Sequence, residues 1–447
     1  MVVSPSWAVR SSLQWWVRLS MDEVASIGAG NAENPGWYRT TVVDGGRIPD
    51  PGILRRMTHS PGNPQSSTSR RTILMTAFEP SADIQAAPVV RALLDRDPSL
   101  RVVAWGGPRM EAAGAEIVER TSEDGVMGLA GFLKVFEMKR TIDRIDRWAA
   151  GHRVDLHVPV DSPSANFPIC KRLRKRGATT VHLIAPKVWA WGHWRVRKLQ
   201  RWSDHVLCNL PFEPEWFGRH GVDATFIGHP VLACPLDEAA LETERGDLPS
   251  GGPRILILPG SRSGEIKGNL RHQFAAFTAI RERHPEATAV VLAANERIAA
   301  QVGGLVDPLP PGMVVKLDVL DAAISWADLA LATSGTVSLD LTKQACPMIG
   351  SYAVPRWQTL VANIMVRIPF KLLPNIVAGE EVVPEFVPYV QSLGATPIIE
   401  VALPLLEDPT ALAAMRGRLE RVRAMFDGHD PATEAATVML DRLDSRT

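Results

Sequence analysis

RILILPGSRSGEI, Arg254 to Ile266, is the stretch that decides the fold. Its first residues are branched and apolar and do not alternate with polar ones. That is the pattern of a strand buried on both faces of a parallel sheet. Pro259, Gly260 and Ser261 then turn the chain, and a helical pattern follows. The same strand–turn–helix text recurs downstream at TAVVLAA (288–294), MVVKL (313–317), DLALATSGT (328–336) and PMIGSY (347–352). Upstream it occurs at TILMTA (72–77), which leads into a helix over 82–96, and at RVVAW (101–105), DLHVPVD (155–161), TTVHLIA (179–185), HVLCNL (205–210) and ATFIG (224–228). An acidic linker containing Pro and Gly parts the two series near 235–252. The spacing predicts an α/β protein with two Rossmann-like domains, 71–235 and 253–385, facing a central cleft, with ligands at the strand C-terminal ends. Residues 386–447 read as a helical C-terminal segment.

Residues 1–70 differ from the rest. They are rich in Ser, Pro, Gly and Arg without a sustained period, and they read as a disordered arm, with Met57 as an alternative start. The 447 residues carry 49 basic and 49 acidic side chains, so bulk charge gives no attraction to nucleic acid. Cys170, Cys208, Cys234 and Cys346 form no C-x-x-C pair and join no His cluster. Neither a zinc site nor a disulfide framework is expected, and a reducing, cytoplasmic compartment is. No run approaches the roughly 20 apolar residues of a spanning helix.

Four strand ends carry candidate chemistry. At LATSGTVSLD (331–340) a strand meets a helix N-terminus, whose N–H groups and dipole suit a phosphate. Ser334 and Thr336 add hydroxyls, Gly335 permits close backbone approach, and Asp340 stands within reach of a ribose hydroxyl. At LPGSRSGEI (258–266) Arg262 is placed to pair with a diphosphate. For both stretches the plainer alternative is an ordinary capped turn. Asp161 ends a buried strand in VPVDSPSANF, as a general base or a helix cap. FEPSAD (78–83) adds Glu79, a second candidate catalytic carboxylate, with Ser81 and Asp83 on the acceptor side or as N-caps. No G-x-x-x-x-G-K-[ST] occurs, and no G-x-G-x-x-G follows the first strand, so neither a P-loop nor a dehydrogenase fingerprint is present. The helix starting near Met127, with Phe132, Leu133 and Phe136, reads as a core helix or as a membrane- or acyl-facing surface. PKVWAWGHWRVRK (186–198) holds Trp189, Trp191 and Trp194. The first two read as scaffold and wall of the acceptor side.

GGPRM (106–110), VMGL (126–129), VWAW (188–191), PFEP (211–214), FIGHP (226–230), LPGSR (258–262), SGT (334–336) and LPNIVAGEEVVPE (373–385) appear in that order. From about Thr72 onward the chain thereby resembles the lipid-A-disaccharide synthase family, inverting glycosyltransferases of GT-B fold. The resemblance implies a UDP-2,3-diacylglucosamine donor and a 2,3-diacylglucosamine 1-phosphate acceptor. It implies release of UDP, no metal or other cofactor, and a β-1,6-linked product. Asp161 matches the family's essential aspartate, and Arg262 and Ser334–Thr336 match its UDP side. Asn375 and Glu385 fall in a segment lining the same cleft, and His229, in FIGHP, falls on the acceptor side. The resemblance further implies peripheral contact with the cytoplasmic face of the inner membrane through the 127–136 stretch. It also implies a C-terminal segment that crosses back over the first domain and can exchange between two subunits, which allows a homodimer. The family's G-E-x-S-G-D reads FEPSAD here, its D-A-P-D-F-N reads DSPSAN, and its helical Glu is Asp340. Two other readings fit such departures: a GT-B enzyme with a different lipid-linked acceptor, and an inactive lipid- or nucleotide-binding relative.

Overall fold

A computed structural model describes residues 70–122, 131–305, 308–355 and 368–445. The 1–69 arm and Met127 lie outside the described residues. The first sheet has seven parallel strands, β1 Thr72–Thr76, β2 Arg101–Gly106, β3 Glu116–Arg120, β4 Leu156–Pro159, β5 Thr179–Leu183, β6 His205–Cys208 and β7 Ala224–Phe226, in the order β3-β2-β1-β4-β5-β6-β7. The second has six, β8 Arg254–Leu258, β9 Thr288–Leu292, β10 Met313–Lys316, β11 Leu329–Thr333, β12 Met348–Val354 and β13 Glu385–Val390, in the order β10-β9-β8-β11-β12-β13. Both orders reverse beside the first strand of their series, where a doubly wound sheet opens its ligand crevice. The two Rossmann-like domains expected from the strand–helix alternation are present.

Strand pleating divides each core in two. In β1, Ile73 and Met75 face one layer while Leu74 faces the other. The first layer holds helix α1, Pro80–Arg96. A short helix α2, Pro108–Ala112, follows β2. Across the sheet lie α3, Gly131–Ala150, and α4, Pro163–Lys175, which bring Ile142, Ile145, Ile169 and Leu173 onto Leu74, Val103 and Trp105. After β6 comes α5, Glu213–Arg219, and after β7 comes α6, Pro230–Ala233. In the second domain Ile255 and Ile257 face α7, Ser263–Arg283, and Leu256 and Leu258 face the opposite layer. Helix α8, Val337–Lys343, follows β11 and packs against α6, so the two halves meet beside their strand ends. Helix α9, Leu373–Ala378, precedes β13.

The last helix, α10, Pro431–Asp444, lies on α1. Its Ala435, Ala436, Met439 and Leu443 join the same buried cluster as Ile73 and Met75. Each fully buried side chain of Met or Leu size contributes roughly 1.5–3 kcal/mol.

Two strands carry no run that the sequence marks. EIVER in β3 is exposed or half-exposed throughout, because it edges the first sheet. β13 contains Pro388, and proline belongs on an edge, where this strand sits. The second sheet therefore runs on past residue 385, to Val390. Among the described residues no helix is long and apolar enough to cross a membrane.

Candidate functional site

The site is built where β1 and β4, neighbours in the first sheet, both end. After β4 the chain turns through two residues in left-handed backbone, Asp161 (φ 45°) and Ser162 (φ 40°). Non-glycine residues occupy that region at a cost of order 1–3 kcal/mol, and they persist where surrounding contacts fix them. Here the contacts are visible. Asp161 N–H donates to Leu183 O (3.1 Å). Buried Asn166, from the first turn of α4, donates through Nδ2 to Asp161 O (2.8 Å) and Val160 O (3.2 Å). Thr76 Oγ1 donates to Asn166 Oδ1 (2.7 Å), and Ser162 Oγ donates to Glu79 Oε1 (3.0 Å). The turn is thus tied to the end of β1 from two directions, and Glu79 holds the residue next to Asp161. Both Asp161 and Glu79 remain partly exposed.

The charge around Asp161 is unusual. Burial pushes its carboxyl above the ordinary carboxylate range, and the Lys187 ammonium pulls it partly back. Lys187 is itself shifted down by burial, against the pull of Asp161 and Glu213. Burial pushes Glu213 up to about 7 although its carboxylate is well supplied. Trp189 Nε1 donates to its Oε1 (2.9 Å), and the N–H groups of Asn209 and Leu210 donate to its Oε2 (3.1 and 3.0 Å). Burial, with Lys187 beside it, lowers His229 to about 3. Neutral His229 caps α6 by accepting from Val231 N–H at Nδ1 (3.2 Å). One lysine therefore acts on two carboxyls and an imidazole.

Other expected acceptor-side residues are placed differently. Asp83 is 3% exposed, and its oxygens accept from Gly107, Arg109 and Met110 N–H at 3.0–3.1 Å. It caps α2 rather than facing the cleft. Ser81 is half-buried in the first turn of α1. Trp189 is buried, meets Phe212 edge-on at 4.9 Å and packs with residues of both domains. Trp191 carries the Arg195 guanidinium on its face at 3.8 Å. Trp194 is 60% exposed. Phe136 stands 62% exposed on α3, and the side chains of Phe132 and Leu133 lie outside the described residues.

On the opposing half, Arg262 is the N-cap of α7 and pairs through Nη1 with Glu265 Oε1 (2.7 Å). Ser334 N–H joins Ser351 O (2.9 Å), and Gly335 and Thr336 lead into α8. A Cβ built at Gly335 meets nothing within 4 Å, so the space over this turn is open. Asp340 lies in α8, its carboxyl raised to about 7 by burial and by Asp321. Asn375 is fully buried. Its Oδ1 accepts from Val382 and Val383 N–H, and its Nδ2 donates to Glu385 Oε2 (3.0 Å). Glu385 also accepts from Lys371 and Leu372 N–H (2.9 and 2.8 Å). Asn375 therefore shapes the loop that presents Glu385. Lys187, Glu213, Ser162 and Asn166 escape a sequence reading for function, although PFEP and DSPSAN contain three of them.

The sequence profile described as lipid-A-disaccharide synthetase matches residues 73–408, which include every candidate from Glu79 to Glu385. A lipid-A-disaccharide synthase of Burkholderia mallei is 37% identical over 325 residues, 70% of this chain and 82% of that protein. That of Granulibacter bethesdensis is 33% identical over 318 residues, 70% of this chain and 81% of its own. Among solved structures, a glycotransferase of kitacinnamycin superposes with a TM-score of 0.54 at 17% identity, covering 84% of this chain and all of that one. A UDP-GlcNAc 2-epimerase from Neisseria meningitidis bound to UDP-GlcNAc gives 0.55 at 11%, covering 84% and 100%. Likeness at that identity establishes the shared two-domain fold.

Proposed function

The chain belongs to the lipid-A-disaccharide synthase family, and we infer that it is the glycosyltransferase that joins UDP-2,3-diacylglucosamine to 2,3-diacylglucosamine 1-phosphate. The observation that carries the reading is the family match from residue 73 to 408, spanning both faces of the cleft.

Asp161 serves as the base. It takes the proton of the acceptor's 6-hydroxyl as that oxygen attacks the donor's anomeric carbon. The bond from that carbon to the diphosphate breaks with its electron pair on oxygen, UDP leaves, and configuration inverts to the β-1,6 linkage. A positioned base of this kind is typically worth about 10²–10⁴-fold. Lys187 supports the reading, because its charge favours the ionised form that a base needs. Glu79 positions the turn through Ser162. On the other half, Arg262 and the Ser334–Gly335–Thr336 turn meet the charge growing on the diphosphate, and Asp340 and Glu385 face the ribose side. Exposed Phe136 on α3 supports peripheral contact with the inner membrane.

The reaction is tested by incubating purified protein with the two synthetic acylated sugars and following the product by mass spectrometry. A disaccharide 1-phosphate formed only when both are present is expected. Failure with this acceptor, alongside transfer to another lipid-linked sugar, would move the assignment to that acceptor.

A further inference from the structure

A pocket of about 170 Å³ lies beside the strand ends of the first sheet, walled by Val89 of α1, Leu183 at the end of β5 and Ile184 just past it, Asn209 after β6, Ile227, and Pro431 of α10. The wall is largely apolar. One of its lining residues, Leu183, is bonded through its carbonyl to the Asp161 N–H. Ile184 holds φ 69°, a conformation a β-branched residue rarely takes, and it turns the chain at this wall. Asn209 is 7% exposed, and its Oδ1 is buried without a hydrogen-bond partner among the described residues. Buried acceptors are seldom left unmet. The geometry therefore offers an apolar slot at the strand ends, with one buried acceptor among its lining residues left unmet.

We propose that this pocket takes the root of an acyl chain on the acceptor sugar, and that Asn209 accepts a hydrogen bond from an amide N–H or hydroxyl at that root. The proposal rests on the glycosyltransferase reading above and adds a subsite to it. Size agrees, since a dry cavity of about 150 Å³ holds benzene, so this one admits about six carbons. Asn209 also donates its own N–H to Glu213, which links the subsite to the Lys187 cluster.

Cys234 is an exposed residue of the pocket wall, and the other three cysteines are buried. Its rate of labelling by a maleimide therefore reports occupancy in the full-length protein. N-hexanoylglucosamine is expected to slow labelling at least 3-fold, and glucosamine is not. An ester-linked hexanoyl sugar should protect less. A 3-hydroxyhexanoyl ester, which returns a donor at the root, should regain protection. Asn209→Leu should abolish the difference between amide and ester. Pro88→Trp, an exposed change on α1 that fills the pocket, should remove protection while calorimetric UDP affinity stays the same. Labelling unaffected by N-hexanoylglucosamine in a protein that still releases UDP with acceptor would overturn the pocket alone. Protection of Cys234 in a protein that neither binds UDP nor transfers would sustain the pocket and overturn the transferase reading.

Discussion

In the proposed mechanism, Lys187 is the residue on which the chemistry of Asp161 turns. A general base must be ionised, and burial works against that by raising the carboxyl's affinity for its proton. The lysine's charge works the other way. Replacing it by methionine keeps the stem and removes the charge, so the folded pKa of Asp161 should rise further. The acidic limb of kcat/KM against pH should then move to higher pH in Lys187→Met, with turnover recovered as pH is raised. A limb that stays in place would mean that Lys187 does not act on the base. Asp161 was legible as a lone acid at a strand end. Lys187 was not, because it meets Asp161 only when β5 is laid beside β4 in the sheet. The pairing of Ser162 with Glu79, 83 residues apart, was hidden for the same reason.

At the scale of elements, the second half divides into loops bonded within the protein and a turn that stands open. Asn375 is consumed by the loop between α9 and β13, whereas the turn from β11 into α8 contains a glycine that no internal contact requires. Its φ is not positive, so alanine fits there without backbone strain. Gly335→Ala should leave the melting midpoint unchanged or slightly raised, with a stability change within about 1 kcal/mol. Affinity for UDP, by calorimetry, should fall about tenfold, or roughly 1.4 kcal/mol. Unchanged affinity would put the diphosphate elsewhere. The strands that build this turn were readable because they are continuous apolar runs buried on both faces. β3 and β13 were not, since an edge strand has no such requirement and tolerates charge and proline.

At the scale of the whole molecule, the two sheets are linked by more than their linker. Trp189 and Leu210 of the first half share a buried cluster with Leu341 and Phe426 of the second. The chain then returns to place α10 on α1, which makes the last helix part of the first domain's core. Met439 is fully buried there, so Met439→Ala should cost about 2–5 kcal/mol in chemical denaturation. A loss under about 0.5 kcal/mol would show that α10 is only loosely held. This return is not written in any local pattern, since the apolar spacing of α10 suits a helix packed on any partner.

The central claim is that Asp161 takes the acceptor's proton in transfer from a UDP-linked sugar. Its most direct test is acceptor-dependent UDP release by the native protein and by Asp161→Asn, with UDP affinity measured in parallel. The account predicts that the variant binds UDP as the native protein does and loses at least 10²-fold in rate, about the contribution of a positioned base. A variant that releases UDP at near-native rate would remove Asp161 from the mechanism and contradict the account.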